Sequence, residues 1–299
     1  MLGNTISIMH TVIRHSYKSK MQLLIIFCCS FVFILSPSNS RALTGADVAV
    51  YNDTGYQGGG TWMDGLLAIE SMLSYYGYTY EQITPDELNA TPNLNSLYKM
   101  IIVGGGWAGG YNYLINYNGF ENIRNFVSNG GGYFGICAGA YLASSIVMWT
   151  VDFQSPVNAY YYPLNLFSGI SAGVIPHIKG WYSLTNCSTS ITEGAAMTTI
   201  NINTTALPDI NPTLNVLYYG GPFFIPLYGS GQNVTVLGTY PSVGAPSDGY
   251  GAMVMFNYGS GKVFLTGPHL EVSFSNCSLW YDPNTWKFMK TVIAKLIGK

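Results

Sequence analysis

The sequence predicts an α/β fold: a mostly parallel central sheet covered by helices, with antiparallel strands added to it. Three observations point there. Short apolar strands and amphipathic helices follow one another in a β-α-β-β-α-β-α order between Asp47 and Leu142. Within that stretch, Met100-Ile101-Ile102-Val103 is an unbroken apolar run, as a parallel strand buried on both faces requires. Finally, Gly132 to Leu142 passes from an apolar strand through a sharp Gly-Ile-Cys-Ala-Gly turn into a run of small residues, which is how strands feed helices in such folds.

In chain order, Asp47-Val48-Ala49-Val50-Tyr51 is the first strand, and Asn52 to Gly60 is a Gly-rich loop. Trp62 opens a helix with Leu66, Ile69 and Leu73 on one face, at the 3.6-residue period. Tyr78 to Ile83 reads as a second strand and Pro85 to Leu97 as a polar connection. After Val103 comes the turn Gly104-Gly105-Gly106-Trp107. The next helix carries Phe120, Ile123 and Val127 and stops at Asn129-Gly130-Gly131. From about Thr150 to Asn215, Tyr160-Tyr161-Tyr162 and alternating Thr/Ile segments such as Met197 to Thr204 suggest antiparallel hairpins. No Pro-, Ser- or charge-rich linker flanks this region, so it reads as an elaboration of the same sheet. Val234 to Tyr240, Ala252 to Tyr258 and Lys262 to Thr266 are strands, the last two joined by Tyr258-Gly259-Ser260-Gly261. Trp286, Met289, Ile293 and Leu296 form the core face of a final helix.

The N-terminus reads as a targeting segment. Arg14, Lys18 and Lys20 precede the apolar run Met21–Leu35, and small residues follow. As a helix those 15 residues reach about 22 Å, short of the roughly 30 Å hydrocarbon core. This pattern predicts a secretory signal over residues 1–40 or, if retained, an N-terminal anchor. The domain of interest is then 41–299, secreted or at the cell surface, touching membrane only if the segment is kept. Losing residues 1–40 removes three of the 12 basic residues and none of the 14 acidic ones, which leaves a net charge of −5. No basic patch is visible, which argues against a nucleic-acid partner. Charged residues are 9% and aromatics 15% of the chain, the reverse of a disordered composition, so the chain can bury a large core.

Cys28 and Cys29 lie in the apolar run. Of the remaining cysteines, Cys187 and Cys277 each sit in Asn-Cys-Ser. In an oxidising compartment these two are open to pairing, which would leave Cys137 as the free thiol. Further Asn-x-Ser/Thr sites at Asn52, Asn89, Asn203 and Asn233 are compatible with a glycosylated surface.

Cys137 sits on the strand-to-helix turn, where a side chain is presented on a strained backbone at a helix N-terminus that favours a thiolate. Gly267-Pro268-His269-Leu270-Glu271 follows the apolar run Val263–Thr266. It supplies a base, His269, and a carboxylate two residues on, Glu271, to orient it, as thiol acyl transfer needs. The N–H of Ala138 and one from Gly105 or Gly106 are candidate oxyanion donors. His177 is a weaker candidate for the same pocket. No His/Cys/Asp cluster has metal spacing, and the Gly-rich stretches lack the pattern of a phosphate or dinucleotide loop, so no metal or cofactor is expected.

Arg124 to Tyr141, Tyr218-Tyr219-Gly220-Gly221-Pro222-Phe223-Phe224 and Gly267–Glu271 together resemble the biotin-protein ligase N-terminal domain family, of the class I glutamine amidotransferase-like superfamily. Gly104–Gly106 falls where that family has its Pro-Gly-Gly loop. The resemblance covers roughly residues 45 to 275. It implies a flavodoxin-like three-layer α/β sandwich with Cys137 as nucleophile, His269 as general base and acid, and Glu271 as its orienter. The ligase's own catalytic domain is outside the resemblance, so biotin transfer is not implied, and no synthetase partner is evident. Classical glutaminase domains carry Pro where this chain has Leu270. The expected function is an exported cysteine-dependent hydrolase cutting a C–N bond in a small-molecule or peptide amide. The alternative is a catalytically silent binding or cell-surface module that keeps the fold.

Overall fold

The computed structural model describes residues 41–149, 158–175, 178, 195–241, 250–275 and 278–299, all within one unit, Ser40–Lys299. The N-terminal segment, His177, Cys187, Cys277, Asn186 and Asn276 lie outside the described residues.

The first half builds the parallel part of the sheet. Its elements are β1 (Val48–Tyr51), α1 (Met63–Tyr75), β2 (Tyr80–Ile83), α2 (Pro85–Ala90), β3 (Met100–Val103), α3 (Ala108–Leu114), α4 (Tyr117–Ser128), β4 (Gly132–Ile136) and the one-turn α5 (Ala138–Leu142). The second half continues with β5 (Ser144–Trp149), β6 (Asn158–Tyr161), β7 (Phe167–Gly173), β8 (Ala196–Ile202), β9 (Thr213–Tyr218), β10 (Phe223–Pro226), β11 (Val234–Thr239), β12 (Gly251–Tyr258) and β13 (Gly261–Thr266). A short ribbon of β14 (Ser273–Ser275) and β15 (Ser278–Trp280) then leads to α6 (Pro283–Leu296).

Strands β2-β1-β3-β4-β13 pair in parallel, in that spatial order. Beyond β13 the sheet turns antiparallel through β12, β10 and β7. There β5 pairs with β7 in parallel and β6 closes the edge. A branch of β11, β8 and β9 grows off β12, so the antiparallel segments elaborate the one sheet.

Side-chain alternation sorts the parallel strands into two buried faces. Val48, Val50, Met100, Ile102, Phe134, Ile136 and Phe264 pack against Leu66, Ile69 and Leu73 of α1 and Phe288, Met289 and Ile293 of α6. Ala49, Tyr51, Ile101, Val103, Tyr133, Val263 and Leu265 face Leu88 of α2, Tyr111 of α3 and Phe120, Ile123 and Val127 of α4. Helices on both faces of the sheet make three layers.

Three segments depart from the sequence reading. The connection expected between Pro85 and Leu97 holds α2. The Thr84 side chain accepts the Glu87 N–H at 3.3 Å, and the Glu87 carboxylate accepts the Thr84 N–H at 2.9 Å, a reciprocal cap with Pro85 in the first turn. α3 is also unforeseen, because Gly109 and Gly110 each cost about 1 kcal/mol in a helix relative to alanine. Tertiary contact overrides that cost: Tyr111 is fully buried and its hydroxyl donates to Gly105 O at 2.8 Å. Lastly, the antiparallel region begins earlier than Thr150, since β5 leaves α5 directly and pairs with β6 from Ile146↔Tyr161 to Trp149↔Asn158.

Strand register brings three loops together. Val103 lies opposite Gly135 and Ile136 opposite Thr266. The carboxyl ends of β3, β4 and β13 therefore lie side by side, and the segments beginning at Gly104, Cys137 and Gly267 leave the sheet at one edge, where ligands of open α/β sheets bind.

Candidate active site

Cys137 occupies the turn between β4 and α5 with φ 49° and ψ −102°, a strained conformation for a residue with a Cβ. Its neighbours fix it there. The Cys137 N–H donates to Thr266 O of β13 at 2.8 Å, and the Gly139 N–H to Gly104 O at 3.1 Å. Gly139 must be glycine, since a Cβ there would come within 2.0 Å of Val103 O. Cys137 is 6% exposed, and its Sγ lies 3.7 Å from Tyr219 O. α5 has only five residues, so its dipole is that of little more than one turn.

His269 is delivered from the end of β13. Its N–H donates to Leu217 O of β9 at 2.8 Å, which anchors the backbone to the antiparallel branch. Its Nδ1 lies 2.7 Å from Glu271 Oε1, and the two side chains are 1% and 0% exposed. Facing a carboxylate oxygen, Nδ1 is the nitrogen that donates. Trp286 Nε1 of α6 donates to the Glu271 carbonyl at 2.8 Å, holding the carboxylate's backbone in place. Trp62 stands edge-on to the imidazole, ring centres 4.9 Å apart. Burial by itself would lower the His269 pKa; the charges of Glu271 and Cys137 outweigh it and push the value up to about 10. Cys137 thus acts on His269 both through its charge and as a hydrogen-bonding neighbour, while its thiol also reaches Tyr219 O.

The Gly104–Gly106 loop closes the site from β3. Gly105 O accepts from the Trp62 N–H at 3.0 Å and from the Tyr111 hydroxyl. Buried Asp53 ties down the facing loop, its carboxylate accepting the N–H of Gly60 at 2.9 Å and of Thr61 at 2.8 Å. Among the described residues, the N–H groups of Gly106 and Ala138 have no backbone acceptor.

These segments frame a cleft of about 710 Å³, with Cys137, His269, Gly106, Trp62, Tyr219 and Gly220 in its lining. Of the six residues singled out from sequence, Cys137, His269 and Gly106 face this space. Glu271 sits behind His269, Gly105 packs under its ring, and Ala138 lies below the cysteine. Sequence reasoning missed Trp62 and Asn112 as lining residues. Neither belongs to a motif; both arrive because α1 and α3 begin at the same sheet edge. Among the described residues, no three His, Cys, Asp or Glu side chains converge as a metal site requires.

A family described as biotin-protein ligase, N-terminal, matches residues 46–297. The biotin–protein ligase of Schizosaccharomyces pombe is 26% identical over 205 residues, 67% of this chain and 30% of that protein; the match thus spans under a third of the relative's length. Among solved structures, a glutamine amidotransferase superposes with a TM-score of 0.49 at 17% identity, covering 85% of this chain and 100% of its own. PurLQS from Thermotoga maritima gives a TM-score of 0.53 at 14% identity, covering 83% and 98%; at that identity the likeness is one of fold. With the match running from just before β1 through α6 and the parallel sheet at its centre, this chain belongs to the biotin-protein ligase N-terminal domain family.

Proposed function

We propose that the chain is an exported cysteine hydrolase that cleaves an amide C–N bond through Cys137, His269 and Glu271. The observation that carries this reading is the meeting, in one cleft, of a cysteine on a strained turn with a fully buried His–Glu pair. A buried ion pair is a weak device for stability, whereas an imidazole with an orienting carboxylate behind it and a thiol in front suits acyl transfer.

In the first step the Cys137 thiolate attacks the amide carbonyl, whose oxygen takes the negative charge and accepts from the N–H of Ala138 and Gly106. Each such donor is typically worth about 3 kcal/mol of barrier. The tetrahedral intermediate collapses as the C–N bond breaks, and the amine leaves with the proton from His269 Nε2. Water then attacks the thioester, His269 accepts its proton, and the C–S bond breaks to release the acid and return the thiol. Glu271 holds the imidazole and stabilises its protonated form throughout. Export is read from the N-terminal basic and apolar run.

The test is the rate of Cys137 alkylation by iodoacetamide near pH 6.5 in wild type and His269→Ala. Faster labelling in wild type by tenfold or more supports the thiolate–imidazolium pair. Equal rates would sink the enzyme reading and leave a binding module with the same fold.

A further inference from the structure

Resting on that reading, we propose that the cleft selects an amide whose acyl portion carries a neutral aromatic group, as in a blocked peptide ending in an aromatic residue, rather than a free zwitterionic amino acid. The outer wall of the cleft is aromatic and comes from two separate places in the fold. Trp107 leads into α3, and Trp149, Tyr160 and Tyr162 come from β5 and the end of β6. Trp107 is 62% exposed, yet its indole is seated: a Cβ on Gly109 would come within 2.8 Å of ring atoms Cε2 and Nε1. In the same lining, the rings of Tyr160 and Tyr162 stack at 6.5 Å, and Tyr141 meets Trp149 edge-on at 5.7 Å. Flat, rigid surfaces of this kind take up an aromatic ring at little entropic cost.

Free glutamine adds an ammonium and a carboxylate to its side-chain amide, and none of the described residues lining the cleft is Lys, Arg, Asp or Glu. Beyond the Cys137–His269 pair the lining offers those two charges no counter-charge, which makes placing them there unfavourable.

The experiment is calorimetric titration of the full-length Cys137→Ser protein with N-acetyl-phenylalaninamide, L-glutamine and N,N′-diacetylchitobiose. The aromatic amide should bind at least about tenfold more tightly than glutamine. Adding Trp107→Ala should weaken it by about tenfold, and Trp107→Phe should restore most of that loss. Glutamine binding as tightly, the disaccharide binding in preference, or indifference to Trp107→Ala would each overturn the proposal. Wild type, assayed alongside for ammonia release, separates the two readings. Binding of the aromatic amide without ammonia would leave the cleft's ligand preference standing and remove the hydrolase. Ammonia from glutamine with no binding of the aromatic amide would do the opposite.

Discussion

Gly105 lies flat against His269: a Cβ on Gly105 would sit 2.3 Å from the imidazole Cε1. The atom it would meet belongs to a ring clamped by Glu271 on one nitrogen and by Trp62 at its edge. Gly105→Ala is therefore expected to push the imidazole out of line. Overpacking of this kind costs about 1–3 kcal/mol, readable as a lower denaturation midpoint. Iodoacetamide labelling of Cys137 at pH 6.5 should fall at the same time toward the His269→Ala rate. A variant that unfolds and labels like wild type would show that the contact is slack.

Glu271→Gln tests the electrostatics of the pair. The folded-state pKa of His269 is raised to about 10, above its unfolded value near 6.5. Its contribution to stability is therefore complete below pH 6.5 and fades as pH rises through about 10. Glutamine keeps the shape and loses the charge, so the destabilisation should be largest near pH 6.5 and shrink toward pH 10. Breaking a buried pair typically costs roughly 3–5 kcal/mol. Urea titrations of both proteins at four pH values check this; a difference independent of pH would contradict it.

Asp53 is buried in the loop facing Gly104–Gly106 and accepts two backbone N–H groups. Asp53→Asn turns one acceptor into a donor that faces a donor, at a cost of about 1–3 kcal/mol. Because Thr61 precedes Trp62, the His269 ring should lose its neighbour's fixed position as well. The expected result is a lower melting temperature together with a shifted His269 imidazole resonance.

In a glycosylating host, Asn233 is expected to carry a glycan before the other described acceptor sites do. It is exposed, whereas the amide nitrogens of Asn52, Asn89 and Asn203 already donate to Gln82 Oε1, Leu114 O and Val236 O at 3.0, 3.1 and 3.0 Å. Glycopeptide mapping that finds Asn89 occupied and Asn233 bare would reverse this ranking.

The parallel half was legible because its determinants are local. Met100–Val103 is apolar at every position, and a strand buried on both faces has no other way to look. Cys137 and His269 were legible because each sits in a motif at the end of an apolar run. α2 was also written in the sequence, as Thr84-Pro85-Asp86-Glu87, a capping box that the polar composition around it obscured. α3 was not, since its glycines argue against a helix and only the burial of Tyr111 holds it. The lining by Trp62 and Asn112 was invisible for a different reason: it depends on which elements share a sheet edge, and hence on strand order.

The ladder between β4 and β13 joins residues about 130 positions apart, Ile136 to Thr266. Closing so long a loop is slow compared with forming local contacts. During synthesis the cysteine turn emerges long before its histidine, and the pair meets only when β13 slots in beside β4. Reactivity at Cys137 should therefore report on the completion of folding: a partly folded chain would carry the sulfur but not the imidazole proposed to sensitise it.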